Sequence, residues 1–178
     1  MAELLSVTEP HDGVVVLRLE RPEKKNALSI ALRDEMSEAL TGLVADEQVK
    51  VVVVTGAGDT FSAGFDLSEF ERLDDAAYAE RLWASSDRWH RTLLELPLPT
   101  IACVNGPALA GGFDLAVMCD IRVASQTARF AHPEHRFSDV VYGPLHDLVG
   151  GAVAREVLVR TKAKAVRRAA VVGATLDL

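Results

Sequence analysis

The sequence predicts an α/β protein built around a parallel sheet, and three observations support this. The run from Lys50 to Thr55 is short and mostly apolar, which is typical of a strand buried on both faces. An amphipathic helix precedes it, and a helix that leads into such a strand is the crossover of a parallel sheet. The order of apolar strand, glycine-containing loop and apolar helix then returns at residues 100–120.

One strand and one helix are predicted ahead of that run. Residues 13–20, GVVVLRLE, predict a strand, and residues 21–28, RPEKKNAL, predict a polar turn. Ser29 follows as the predicted helix N-cap. After it, apolar residues recur at helical spacing, which predicts a helix with one face toward a core. These residues are Leu32, Met36, Ala39, Leu40 and Leu43.

The second half of the chain predicts two further helices and a basic tail. A helix over residues 76–95 ends at the breaker LPLP, because proline interrupts a helix. The helix of the second strand-loop-helix unit begins near Gly111 and Gly112. Five basic residues crowd between Arg160 and Arg168, and we interpret this stretch as helical.

Length, charge and hydropathy limit the class of protein. The 178 residues suit a single domain over 1–178. No apolar run approaches the length of a membrane span, and the N-terminal MAELLSVTEP lacks the features of a secretory signal. We therefore expect a cytoplasmic protein with no membrane partner. The net charge of −7 argues against nucleic acid as a partner.

Two cysteines and two tryptophans are predicted to be structural. Cys103 and Cys119 stand in apolar surroundings without the spacing of a metal site, so we interpret them as reduced core residues. Trp83 and Trp89 are predicted to pack the helix over residues 76–95 against the core.

The two glycine loops are the main functional signal. The first, at Gly56 and Gly58, is not a dinucleotide-binding turn, because Phe61 stands where the third glycine of that motif belongs. Glycine lets a backbone approach a ligand closely, and two such loops from adjacent parallel strands could direct their N–H groups at one oxygen, as in an oxyanion hole. Glycines that merely allow tight turns and close helix packing explain the pattern equally well.

Several motifs together resemble one family. They are RPEKKNAL at residues 21–28, FSAGFDL at 61–67, NGPALAGGFDLA at 105–116, CDIRVAS at 119–125 and ARFAHPE, which ends at Glu134. In combination the chain resembles the enoyl-CoA hydratase/isomerase (crotonase) family from about Val14 to about Gly151.

The resemblance implies a crotonase-like (ClpP/crotonase) spiral of ββα units that acts on acyl-CoA thioesters, with no cofactor beyond the coenzyme A of the substrate. It also implies assembly as a homotrimer or hexamer. Members of the family typically continue well past the equivalent of Arg160, so we expect the C-terminal helical part to be short or missing, with a truncated or atypical region from about residue 160.

The same resemblance implies roles for individual residues. It places the oxyanion donors at the backbone N–H groups of Phe65 and Gly111. The residues that it places near coenzyme A are Lys24, Lys25, Ala27, Ala63, Gly64, Asp66, Leu67 and Ser68. Lysine suits the phosphates of coenzyme A, although both lysines could equally belong to an ordinary solvated turn.

Two carboxyl groups are the catalytic candidates that the resemblance implies. Asp114 and Glu134 match the glutamate pair of the hydratases, but Asp114 is one methylene shorter than glutamate. One-base isomerases of the family need only the residue at Glu134. The dienoyl-CoA isomerases carry an aspartate at Asp114 and a further one at the position that Tyr142 occupies here. The resemblance therefore implies an enzyme that adds water to a 2-enoyl-CoA thioester, and double-bond isomerisation and a non-catalytic thioester-binding or assembly subunit stay open as alternatives.

Two histidine clusters suggest other chemistry, which we do not expect. His132 and His135 stand at H-x-x-H spacing with Glu134 between them and could ligate a metal. This spacing on a loop does not favour a metal site and a third ligand beyond the histidine pair is not evident, so we predict no metal site. His146 beside Asp147 resembles part of a triad, yet no serine stands in a nucleophile elbow. We interpret His146 as a residue of a helix start or a pocket lining.

Overall fold

The computed structural model describes residues 3–136 and 142–160, and it confirms the α/β class. Seven strands and five helices follow one another in this part of the chain. In chain order they are β1 (Leu5–His11), β2 (Val14–Leu19), α1 (Ile30–Val44), β3 (Val51–Gly56), α2 (Leu67–Phe70), α3 (Ala76–Leu94), β4 (Thr100–Val104), β5 (Pro107–Leu109), α4 (Gly111–Met118), β6 (Ile121–Ala124), β7 (Arg129–Ala131) and α5 (Tyr142–Arg160). Short 3₁₀ turns occupy Pro22–Lys24 and Pro133–Arg136.

The main sheet has the strand order β1-β2-β3-β4-β6. Strands β2, β3, β4 and β6 run parallel, and β1 pairs antiparallel with β2 at the edge. Leu17 lies beside Val54, and Val54 lies beside Ala102; all three are fully buried. The predicted parallel sheet with its helical crossover is thereby confirmed.

A second, two-stranded sheet pairs β5 with β7 in parallel. Neither of these three-residue strands, nor β1, is evident from the sequence pattern. Most of β1 is exposed, and three residues are too few for a two-residue period to show. This small sheet matters for function because it carries the loops that hold the candidate site.

The helices α1 and α3 begin at the predicted points because polar side chains cap them. Ser29 accepts a hydrogen bond from the N–H of Leu32, and Asp75 accepts from those of Ala77 and Tyr78. The predicted apolar face of α1 packs on the core, with Ala39 and Leu43 at its partly buried margin. Helix α3 ends at Leu94, just before the proline-containing breaker.

Trp89 confirms its predicted core position, whereas the prediction for Trp83 is wrong. Trp89 is fully buried, but Trp83 is 47% exposed and meets the ring of Phe70 edge-on. The helical period explains the difference, because positions 83 and 89 are six residues apart and so face different sides of α3.

The cysteines differ in burial for a similar reason. Cys119 is buried, and that burial raises the pKa of its thiol to about 12. Cys103 is only half-buried because it alternates along β4 with the inward-facing Ala102 and Val104. Both thiols are free, as predicted, but only Cys119 belongs to the core.

Helix α5 packs on α4 through buried Leu145, Ala154 and Val157. It is two helices joined at a kink, because Gly150 has a φ of 76°, which interrupts the helical backbone. Within the described ranges no helix is long and apolar enough to cross a membrane. The basic tail predicted to be helical lies outside the described residues from position 161 onward.

Candidate active site

The first glycine loop runs on from Gly56 and Gly58 to Asp66, and backbone pairing holds its second half, residues 61–66, on both flanks. Ser62 pairs with Ala108 as an isolated parallel bridge, in which the Leu109 N–H donates to the Ser62 carbonyl. Leu28 pairs with Phe65 in the same way, donating to the Gly64 carbonyl and accepting from the Asp66 N–H.

The Phe65 N–H therefore points away from Leu28. In a parallel bridge the groups of one residue face away from the partner strand, and here those groups belong to Phe65. Within the part of the chain that the structure describes, its N–H donates to no acceptor. The loop thus presents one backbone donor to whatever lies on that side.

The second glycine loop presents a donor at the start of α4. Ala110 has a φ of 50°, which is rare for a residue with a side chain, and its N–H donates to the Ala131 carbonyl on β7. Its own carbonyl accepts from the N–H groups of Phe113 and Asp114. The Gly111 N–H comes next and is one of the first-turn N–H groups that a helix leaves without a partner of its own.

The two loops touch each other, and glycine is what allows it. A Cβ atom built on Gly64 would lie 2.9 Å from the Gly111 nitrogen and 2.7 Å from the Ala110 Cβ. Gly64 also has a φ of 88°, which other residues rarely adopt. Close packing, one of the two interpretations of the glycines, is therefore observed here, and it brings the loop that contains Phe65 next to the start of α4; that the two N–H groups meet at one oxygen stays a prediction.

A buried ion pair between Arg21 and Asp66 stabilises the end of the first loop. The Arg21 Nη2 atom lies 2.9 Å from Asp66 Oδ2, and both side chains are largely buried. Burial alone would raise the pKa of Asp66, but hydrogen bonds from Ser68 and Arg21 hold it below its ordinary value. Asp66 thereby stays charged and joins the turn at residue 21 to the start of α2.

The buried guanidinium group of Arg33 packs on the ring of Phe65. The Arg33 Cζ atom lies 4.3 Å from the centroid of the Phe65 ring, and Arg33 donates to the Leu28 carbonyl. Burial lowers the pKa of Arg33, while the carboxylate of Glu69, 4.0 Å away, opposes that effect. Arg33 is thus tied both to the Phe65 ring and to the backbone with which Phe65 pairs.

The carboxyl candidates lie together with a histidine. Asp114 is in the first turn of α4, and Glu134 is in the 3₁₀ turn after β7. His132 lies between them, with Nδ1 2.8 Å from Glu134 Oε1 and Nε2 3.8 Å from Asp114 Oδ1. Its ring is fully buried and tilts against Phe113 at a centroid distance of 4.7 Å.

Asp114 is the most perturbed carboxyl group of this cluster. Burial raises its pKa from 3.8 to about 7; the electrostatic interaction with His132 lowers the pKa and that with Glu134 raises it further. A carboxyl group with such a pKa is neutral in mildly acidic solution and can donate a proton near neutrality. Sequence inspection alone gives no measure of this burial.

Comparison with known proteins settles the family. The sequence model of the enoyl-CoA hydratase/isomerase family matches residues 9–175. The chain belongs to this family.

Relatives of this enoyl-CoA hydratase/isomerase family member are moderately similar in sequence. The chain is 38% identical to a hydroxycinnamoyl-CoA hydratase-lyase of Pseudomonas fluorescens over 84% of its own length and 54% of that protein. It is 37% identical to a putative enoyl-CoA hydratase of Thermus thermophilus over 90% of its length and 65% of that protein. The chain thus spans about half to two thirds of the relatives that it matches.

Solved structures confirm the crotonase-like fold. A Mycobacterium smegmatis enoyl-CoA hydratase superposes with a TM-score of 0.82 at 36% identity, covering 93% of this chain and 65% of that one. An enoyl-CoA hydratase from Bacillus anthracis gives 0.82 at 30% identity, covering 88% and 62%.

The coenzyme A residues implied by the family lie on two neighbouring segments. The Ala63 N–H donates to the Lys25 carbonyl, so the turn at residues 21–28 adjoins the first glycine loop. Lys24 and Lys25 are exposed, Ala27 is buried, and Leu67 is 65% exposed. The structure brings these residues together with Gly64, Asp66 and Ser68; exposed lysines suit both a phosphate contact and a solvated turn, so that contact stays a prediction.

The structure changes the set of residues that could hold a metal ion. The side chain of His135 lies outside the described residues. Asp114, His132 and Glu134 instead offer one ligand atom each within 4.8 Å of one another, so the expectation that a third ligand is missing is wrong. A divalent cation would require Asp114 to ionise, which its burial opposes.

His146 lies in α5, as interpreted from the sequence, but on its exposed side. Its Nδ1 atom lies 3.2 Å from Asp147 Oδ1, and the side chains are 48% and 84% exposed. An exposed pair of this kind contributes little to stability or chemistry.

The pKa of Asp114 predicts a particular pH dependence of stability. Between pH 4 and 7 the folded protein holds a proton that the unfolded chain has lost, so stability falls as pH rises through this window and levels off above it. Asp114→Asn should remove this fall. In urea unfolding between pH 4 and 7, the free energy of unfolding of the unchanged protein should fall by up to about 4 kcal/mol more than that of Asp114→Asn.

The matched control is Asp87→Asn on the exposed face of α3, which should follow the unchanged protein at every pH. Identical pH profiles for Asp114→Asn and the unchanged protein would show that Asp114 titrates normally.

Proposed function

We propose that this chain is an acyl-CoA enzyme that adds water across the α,β double bond of a 2-enoyl-CoA thioester. The observation that carries this proposal is the pair of carboxyl groups, buried Asp114 and partly buried Glu134, beside the two touching glycine loops. Asp114 belongs to the same helical turn as the Gly111 donor, since its N–H bonds to the Ala110 carbonyl.

The backbone donors would bind the thioester oxygen. Addition to the β carbon moves an electron pair through the conjugated system onto that oxygen, so negative charge develops there as an enolate. The N–H groups of Phe65 and Gly111 can each stabilise this charge, and a preorganised donor of this kind lowers the activation barrier by about 3 kcal/mol. The rigid pairing of both loops supplies the preorganisation.

The carboxyl groups would handle the protons. Glu134 accepts a proton from water as the water oxygen bonds to the β carbon, and the neutral Asp114 donates its proton to the α carbon. The product is a 3-hydroxyacyl thioester, with Glu134 protonated and Asp114 ionised. Proton exchange with solvent then resets the pair.

The remaining features fit an acyl-CoA substrate. Lys24 and Lys25 can contact the phosphates of coenzyme A, and no separate cofactor is part of this proposal. We also expect a cytoplasmic protein that assembles as a homotrimer or hexamer, as the family implies.

One-base isomerisation is the second candidate reaction. The buried position of Asp114 favours it, because a neutral aspartic acid that only lines the pocket leaves Glu134 as the single base. A non-catalytic protein that binds acyl-CoA is the third, since Asp114 is shorter than the usual glutamate.

Glu134→Gln should abolish turnover while leaving coenzyme A binding nearly unchanged. The substitution preserves shape and removes the base, so kcat on crotonyl-CoA should fall about 10³-fold. Loss of enoyl absorbance measures turnover, and calorimetry measures binding of coenzyme A. The exposed control Glu47→Gln should behave as the unchanged protein. Retained turnover in Glu134→Gln would remove Glu134 as the base.

Substitutions of Asp114 separate hydration from isomerisation. For a hydratase, Asp114→Asn should abolish addition of water, and Asp114→Glu should retain or raise it because the carboxyl group reaches further. Conversion of 3-enoyl-CoA to 2-enoyl-CoA, followed in the same variants, measures isomerisation. Near-normal hydration by Asp114→Asn would contradict the two-carboxyl mechanism, and binding without turnover on either substrate would favour the non-catalytic alternative.

A further inference from the structure

His132 joins the two carboxyl groups of the site, a link that neither of the proposed reaction steps uses. The residue follows β7, and its neighbour Ala131 accepts a hydrogen bond from Ala110, which precedes the Gly111 donor. Backbone pairing between β5 and β7 thus fixes His132 relative to the second glycine loop.

The ring itself is held in one orientation. It is fully buried, and it packs at a tilt of 33° against Phe113, which also contacts Phe130. In this orientation one ring nitrogen faces each carboxyl group. An imidazole can donate through one nitrogen and accept through the other, so a single ring can serve both.

The contact with Glu134 is a hydrogen bond. Its 2.8 Å length is typical of an N–H donor to an ionised carboxylate. Because an ionised carboxylate only accepts, the proton of this bond belongs to His132 Nδ1. The bond limits rotation of the Glu134 side chain.

The contact with Asp114 is electrostatic. At 3.8 Å, Nε2 and Oδ1 are beyond hydrogen-bond length, and a movement of about 1 Å would bring them within it. The ionisable groups of the described residues that act on Asp114 are His132 and Glu134, and the residues of α5 buried near α4 are apolar. The protonation of Asp114 therefore depends chiefly on burial and on these two neighbours.

We propose that His132 is a positioning residue that couples the two carboxyl groups of the site, orienting Glu134 through Nδ1 and interacting with Asp114 through Nε2. Its importance for turnover rests on the proposed function, whereas the link itself does not. When the proton of Asp114 passes to Nε2, Asp114 becomes a carboxylate and His132 an imidazolium, and the net charge of the three groups stays −1.

Nitrogen NMR of the ¹⁵N-histidine-labelled protein tests the link without substrate. Neutral His132 should carry its proton on Nδ1, and its signals are assigned by their loss in His132→Gln. His90 also donates through Nδ1, to the Ser86 carbonyl, so His90→Gln separates the two sets of signals. A neutral His132 that carries its proton on Nε2 would overturn the proposal.

The titration of Asp114, followed by carboxyl ¹³C NMR, tests the second half of the link. His132→Gln removes a group that favours the charged form of Asp114, so the titration midpoint should move up by about one pH unit. His90→Gln should leave the midpoint in place. An unchanged midpoint in His132→Gln, with urea unfolding showing that the variant folds, would also overturn the proposal.

Kinetics then separate positioning from mere packing. His132→Ala leaves Glu134 unoriented, and kcat should fall about 100-fold while KM changes little. Glutamine can still donate to Glu134, so His132→Gln should recover at least about tenfold of that loss. Equal kcat in both variants and the unchanged protein would contradict a positioning role. Absence of turnover in the unchanged protein would instead count against the proposed function, while both NMR measurements still decide the link.

Discussion

The contact between the two glycine loops is the constraint on which the rest of the site depends. The bridge of Leu28 with Phe65 uses the Gly64 carbonyl and the Asp66 N–H on either side of Phe65 and leaves the Phe65 N–H directed elsewhere, while a second bridge pairs Ser62 with Ala108. The same contact places Gly64 against Gly111, where a single Cβ atom would push the loops apart. Arg33, which packs on the Phe65 ring, and the Arg21–Asp66 ion pair then stabilise this arrangement. Backbone pairing of the kind found in sheets, rather than side-chain groups, therefore preorganises the two candidate donors, the N–H groups of Phe65 and Gly111.

The acid–base groups are attached to this frame through backbone. Asp114 lies in the same first turn of α4 as the Gly111 N–H, and His132 and Glu134 follow the strand whose last carbonyl accepts from Ala110. The two carboxyl groups differ in their surroundings, because burial raises the pKa of Asp114 whereas Glu134 accepts a hydrogen bond from His132. In the proposed reaction this difference makes Asp114 the proton donor and Glu134 the proton acceptor.

Much of the frame could be predicted from the sequence, because its signals are local. The capped helix α1, the buried strand β3 and the end of α3 before its prolines all follow from patterns within a few residues. The glycine loops and both carboxyl groups were found from motifs, and the structure brings them together. The His132 link was missed because it depends on pairing between β5 and β7, three-residue strands too short to show a pattern. The exposure of Trp83 depends on long-range packing, which a local pattern does not report. The apolar setting of Asp114 in GGFDLAV already suggests a raised pKa, whereas the burial behind it comes from that packing.

The central claim is that Phe65 and Gly111 polarise a thioester carbonyl, and infrared spectroscopy tests it most directly. Butyryl-CoA labelled with ¹³C at its carbonyl has no double bond to hydrate, so it can be observed at saturating protein without turnover. Isotope-edited difference spectra should show the bound carbonyl stretch at lower frequency than in water, because two fixed donors weaken the C=O bond more than solvent does. A bound carbonyl that absorbs at the solution frequency, or above it, would contradict the account.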